Sequence, residues 1–140
     1  MMNEKIRIEV VVEASLEKAW DCFTSEDRIP HWNFASPDWC CPWAKNDLRV
    51  GGKLASRMEA RDGSFGFDFG GTYTVVEPYR RLAYRLGDER MVEIEFTEES
   101  QRVRVVETFD PESKNSLELQ KSGWQAILNN FKLYTERDTV

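Results

Sequence analysis

The chain has 140 residues, 41% of them hydrophobic and 31% charged, which excludes a disordered chain or a fibrous repeat and suits one globular domain spanning residues 1–140. A formal net charge of -6 argues against nucleic acid as a partner, because a phosphate backbone is bound by clustered Lys and Arg, and it disfavours anionic membranes for the same reason. No apolar run approaches the roughly 18 residues of a membrane span, and the charged start Met1–Lys5 leads into an alternating segment instead of a signal-peptide core, so the expected location is cytoplasmic.

Residues 5 to 13 alternate, with Ile6, Ile8, Val10 and Val12 on one side and Arg7, Glu9 and Glu13 among those on the other, the pattern of a half-buried strand. Ser15 offers an N-cap, and Leu16, Ala19, Trp20 and Phe23 recur at helical spacing, predicting a helix that runs to about Thr24. Ser25 reads as the N-cap of a second short helix with Glu26 and Asp27 in its first turn, ended or kinked at Pro30. Residues 33–46 read as a loop, rich in aromatics for a loop, with Trp32 at its head and Phe34, Trp39 and Trp43 within it beside Pro37, Pro42, Cys40 and Cys41.

From Lys53 the period returns to two. Leu54, Ser56 and Met58 share a face, Asp62-Gly63 signals a hairpin, and Phe65, Phe67 and Phe69 follow. Gly70-Gly71 reads as a bulge or sharp bend, after which Tyr73 and Val75 resume and Pro78 closes the strand. Three more strands carry Leu82, Tyr84 and Leu86, then Val92, Ile94 and Phe96, then Val103, Val105 and Phe109. The short spacings between these strands imply an antiparallel meander. From about Ser116 to Arg137 runs the longest helical pattern, striped with Leu117, Trp124, Ile127, Leu128, Phe131 and Tyr134, and Asn115 with Glu118 reads as its capping box. Gly123 inside it means either close approach to a neighbour or a tolerated surface position.

The fold class is therefore α+β, about six strands with one long helix as the only element able to cover the sheet's concave face. A straight helix over a curled sheet parts from it at one end, and the space between them is an apolar cavity with the aromatic loop as its lid.

Several of these stretches together resemble a known family. They are Val12-Glu13-Ala14-Ser15-Leu16-Glu17-Lys18-Ala19-Trp20, His31-Trp32, Asp47-Leu48-Arg49-Val50-Gly51-Gly52, Gly71-Thr72-Tyr73 with Glu77-Pro78, and Gly123-Trp124 with Leu128 and Tyr134. Over nearly its whole length the chain resembles the SRPBCC (START-like) superfamily, in the branch named after the C-terminal domain of the heat-shock-protein-90 ATPase activator. The resemblance implies the helix-grip fold, in the order β-α-α-β(5)-α, and a deep hydrophobic pocket, in a superfamily that includes lipid carriers, hormone receptors and polyketide cyclases. Trp39-Cys40-Cys41-Pro42-Trp43 departs from the Gly-Pro turn many members of the branch carry there, which implies a pocket mouth of different shape.

Glu107 is the most informative charge, because it shares a strand face with Val103, Val105 and Phe109. Either it points into the pocket, with a raised pKa, or the register slips near the strand end and leaves it solvated or salt-bridged. His31 is the sole histidine, which rules out a two-histidine metal site and leaves a choice between an acid or base at the pocket mouth and a surface or packing role. Three cysteines, two of them adjacent, are not a disulfide framework and read as free thiols. Adjacent Cys40 and Cys41 with His31 and Asp38 make a poor tetrahedral site, so no metal and no cofactor is expected. Asp47 and Arg49 read as a structural turn with Gly51-Gly52.

Candidate ligand-binding residues are Trp32, Phe34, Trp39, Trp43, Phe67, Tyr73, Tyr84, Glu107, Trp124 and Phe131, each of which could instead fill a core. The leading expectation is binding of a small apolar or amphipathic molecule without catalysis. The alternatives are a cyclase- or dehydratase-like enzyme moving a proton with Glu107 or His31, and a chaperone-binding module, which rests on analogy alone.

Overall fold

The computed structural model describes residues 4–137, so Met1–Asn3 of the charged start lie outside the described residues. Strand β1 (Ile6–Val12) is followed by helix α1 (Leu16–Thr24) and a 3-10 turn (Ile29–His31). Then come strands β2 (Trp39–Cys40), β3 (Ala44–Asn46), β4 (Lys53–Ala60), β5 (Gly66–Glu77), β6 (Arg81–Leu86), β7 (Met91–Glu99) and β8 (Arg102–Phe109), and helix α2 (Leu117–Arg137). The sheet is antiparallel in the order β1-β8-β7-β6-β5-β4-β2, with β3 also paired to β4. It is a curled sheet around a long C-terminal helix, the α+β helix-grip arrangement.

The alternating segments become strands as expected. β1 and β8 pair without a break from Ile6↔Phe109 to Val12↔Val103, so every second residue of both strands turns to the same concave face. Ile8, Val12, Ile94, Val103, Val105 and Phe109 are buried there against Ala19 and Cys22 of α1 and Leu128 and Phe131 of α2. Helix α1 starts where Ser15 Oγ accepts a hydrogen bond from the Lys18 amide.

Four local expectations differ from the structure. Ser25 caps the C-terminus of α1, its amide donating to the Asp21 carbonyl, and the second helix is only the three-residue turn Ile29–His31, because Pro30 has no N–H to donate and the bonds from the Ile29 amide to Ser25 and from the Asn33 amide to Ile29 are not joined into a ladder. The 33–46 loop contains two short edge strands, since β4 offers a free edge that residues 39–40 and 44–46 occupy. The bulge falls at Thr74, where the register shifts between Tyr73 and Val75. Gly70 and Gly71 stay in register, and a side chain at Gly71 would meet the Arg85 carbonyl at 2.8 Å, so they are glycines for close approach between strands. Helix α2 is capped by Ser116, whose Oγ accepts from the Leu119 amide, in place of Asn115. Asn115 instead bonds back to Glu112, whose carboxylate oxygens accept from its amide and side chain.

The side chain of buried Gln120 clamps the segment between β8 and α2: Oε1 accepts from the Glu112 amide, and Nε2 donates to the carbonyls of Glu112 and Asn115. Helix α2 thereby approaches the sheet along β1 and β8, with the Trp124 indole stacked on Phe109 at 3.9 Å. Across β4, β5 and β6 it stands away from the sheet.

Candidate functional site

Between α2 and the strands β4–β6 lies a cavity of about 200 Å³. Helix α2 contributes Trp124, Ile127 and Leu128; β4 contributes Leu54, Ser56 and Met58; β5 contributes Phe67, Phe69 and Tyr73; β6 and β8 contribute Leu82, Tyr84 and Glu107. Phe23, Ile29, Trp32 and Asn33 close one side, and Lys45 and Asn46 of β3 another. Of the expected ligand-binding residues, the fold thus brings Trp32, Phe67, Tyr73, Tyr84, Glu107 and Trp124 together on the cavity wall.

The other four are placed elsewhere. Phe131 is fully buried, packed edge-on against Phe23 and Trp32 at 5.1 and 5.3 Å, because the middle of α2 lies against α1 and not over the gap. Phe34 is half-buried off the cavity wall, and its carbonyl accepts from Asn130 Nδ2. Trp39 pairs with Ala60, on the sheet face of Met58 and Phe67 but beyond the cavity, where it forms an aromatic cluster with Phe65 and Phe67. Trp43 is exposed: Ala44 takes the inward position opposite Ser56, and alternation sends its neighbour the other way. His31 is also exposed and stacks on Tyr134, away from the cavity wall.

Glu107 does point inward. The unbroken pairing Ile8↔Glu107 and Glu107↔Ile94 holds it on the concave face, 8% exposed, and among the described residues its carboxyl has no hydrogen-bond partner. Burial pushes its pKa up to about 8, so the acid is largely neutral at pH 7. Tyr84 is likewise buried without a hydrogen-bond partner for its hydroxyl among the described residues. Its pKa is driven well above the usual phenol range, by burial first and then by the nearby Glu107 and Tyr73.

Tyr73 differs. Its hydroxyl donates to Asn46 Oδ1 at 2.6 Å, and burial raises its pKa to about 12. Asn46 is itself fixed, since its amide donates to Glu26 Oε2 and its Nδ2 to the Thr24 carbonyl, tying β3 to the end of α1. Trp32 is held by Nε1 donating to the Cys22 carbonyl at 2.9 Å.

Half of the cavity residues that sequence reasoning left out are plain aliphatics, and the rest are Phe23, Phe69, Asn33, Lys45, Asn46 and Ser56. Leu54, Ser56 and Met58 were readable as one face of β4, but nothing local tells whether that face meets the helix or a gap. Cys41 is buried, its thiol donating to the Trp43 carbonyl and accepting from Asn33 Nδ2, and burial raises its pKa. Asp47 and Arg49 form an exposed ion pair at 2.9 Å in the turn before Gly51 and Gly52. Among the described residues no three His, Cys, Asp or Glu side chains gather as a metal site, and no helix is long and apolar enough to cross a membrane.

The family model described as "Activator of Hsp90 ATPase homolog 1-like protein" matches residues 13–136. The AHSA1-like protein from Aeromonas hydrophila, solved by solution NMR, is 43% identical over 96% of this chain and 93% of that one, with a TM-score of 0.90. Chr148 from Cytophaga hutchinsonii is 48% identical over the same shares, 96% and 93%, with a TM-score of 0.82. A protein from Chromobacterium violaceum, 22% identical over 96% of this chain and 99% of its own, has a TM-score of 0.85 and shares the fold. No curated protein matches the chain.

Proposed function

As the chain belongs to the family of activator of Hsp90 ATPase homolog 1-like proteins, within the SRPBCC superfamily, we propose that it acts as one domain that holds a small apolar or amphipathic molecule between α2 and the sheet. The observation that carries this reading is the cavity itself, about 200 Å³ of space walled by Leu54, Met58, Phe69, Trp124, Ile127 and Leu128. Interiors are normally packed to crystal-like density, and unfilled apolar volume costs stability, so a space of this size is an expense that binding explains. Holding is favoured over turnover because the Glu107 carboxyl is hydrogen-bonded to no second acid or base among the described residues, burial alone shifting its pKa. The three free cysteines, Cys22 and Cys41 among the buried residues, suit a reducing compartment such as the cytoplasm.

Tryptophan fluorescence, titrated with a panel of lipids, flavonoids and polyketide-like compounds, tests the reading through Trp124 on the cavity wall. Saturable quenching is expected, together with co-purified small molecules in native mass spectrometry. Ile127→Trp, which projects a large ring from α2 into the space, should abolish both while leaving the far-ultraviolet circular dichroism unchanged. Absence of binding to the whole panel and an empty native spectrum would sink it. A chaperone partner rests on the family description alone, and a pull-down with the chaperone addresses it separately.

A further inference from the structure

Two buried polar groups of the cavity wall, the Tyr84 hydroxyl and the Glu107 carboxyl, are engaged by no protein atom among the described residues. Leu82, Ile94 and Glu107 form one cross-strand row, and Tyr84, Val92 and Phe109 form the next. Tyr84 thus lies two strands and two residues from Glu107 on the same face, both line the one cavity, and the two groups are near enough for the carboxyl to act on the phenol electrostatically. Both groups border the same space, and with no protein partner among the described residues they are free to hydrogen-bond a molecule held there.

What they can bind follows from their surroundings. Helix α2 brings only Trp124, Ile127 and Leu128 to the wall, and the α1 side brings Phe23, Ile29, Trp32 and Asn33. From β5, Tyr73 has its hydroxyl committed to Asn46, and from β3, Lys45 stands exposed at the edge. Among the described residues no buried cation opposes the carboxyl, so burial favours its neutral form, whose O–H is a donor like that of the tyrosine. Each group has an O–H to donate into one apolar space, and among the described residues no protein acceptor meets either.

We propose that the ligand is a compact apolar molecule bearing a carbonyl oxygen, held by two hydrogen bonds donated from the Tyr84 hydroxyl and the protonated Glu107 carboxyl. The inference rests on the cavity-binding reading above and specifies its chemistry. A space of about 200 Å³ suits a one- or two-ring skeleton, given that an engineered cavity of about 150 Å³ holds benzene.

The test compares tetralin with 1-tetralone, nearly the same shape with and without the carbonyl, by calorimetric titration of the full chain at pH 6.5 and pH 9.5. At pH 6.5 the ketone should bind roughly tenfold tighter than the hydrocarbon, the effect of two modest hydrogen bonds. At pH 9.5 ionised Glu107 repels the carbonyl oxygen and the advantage should vanish, while tetralin binding stays unchanged. Glu107→Gln, which keeps a neutral donor, should preserve the advantage at both pH values. Tyr84→Phe should cut it severalfold and return part of the infrared carbonyl shift of bound tetralone towards its free value.

Equal affinity for the two compounds would overturn the inference and leave cavity binding standing. Tighter binding of 2-aminotetralin, strengthening as pH rises, would overturn it in favour of an ionised carboxylate that pairs with an amine. Binding of none of the three would remove the cavity reading together with the inference.

Discussion

Burial of the Glu107 carboxyl ties the stability of the fold to pH. Its folded pKa of about 8 stands above the ordinary value of 4.5, so between these limits the folded state keeps a proton that the unfolded chain has released. Stability from this site is therefore fully present below about pH 4.5, falls by on the order of 1 kcal/mol per pH unit as pH rises, and levels off above about pH 8. Glu107→Gln removes the dependence. The difference in unfolding free energy between variant and wild type, measured by urea denaturation, should grow steadily from pH 5 to pH 8; a constant difference would show that the carboxyl is not held neutral. A second residue-scale expectation concerns Trp32. Trp32→Phe leaves the buried Cys22 carbonyl without its donor and should cost about 1–3 kcal/mol in the same assay.

At the scale of elements, two glycines behave oppositely. Gly52, in the turn after β3, has no room: a Cβ there would sit 2.1 Å from the Asp47 carbonyl oxygen, so Gly52→Ala must push the turn and β4 apart and should lower the melting temperature markedly. Gly123 in α2 faces open space, the surface alternative raised by its position in the sequence, and Gly123→Ala should stabilise by about 0.5–1 kcal/mol through helix propensity. Differential scanning calorimetry of the two variants separates them by sign. Strands β1, β7 and β8 were legible because their mutual pairing is continuous and their inward residues are all apolar except Glu107. The segment from Ser25 to Asn46 was not. Its caps and prolines describe local preference, while the free edge of β4, a feature made by residues 53–60, decided that parts of it became strands. The same edge set Trp39 beyond the cavity on the inward face and left Trp43 exposed.

At the scale of the whole molecule, the cavity exists because α2 is held against β1 and β8 and not against β4–β6. Gln120 clamps the start of the helix, and Trp124 stacks on Phe109. Gln120→Ala would strand the Glu112 amide and loosen that clamp, so hydrogen exchange in the first turns of α2 should accelerate while the β1 and β8 amides stay protected. Outside residues 25–46 the sequence by itself determined the order of the elements, the apolar faces of the main strands, the long C-terminal stripe and the candidacy of Glu107, because alternation and helical spacing are properties of neighbours along the chain. Only the tertiary structure decided which apolar face packs solidly and which borders a space. Phe131 and Trp124 sit on one stripe of one helix, yet Phe131 fills the core and Trp124 faces the cavity. The distance between a helix and a curled sheet is set by contacts far apart in sequence, and no local period records it.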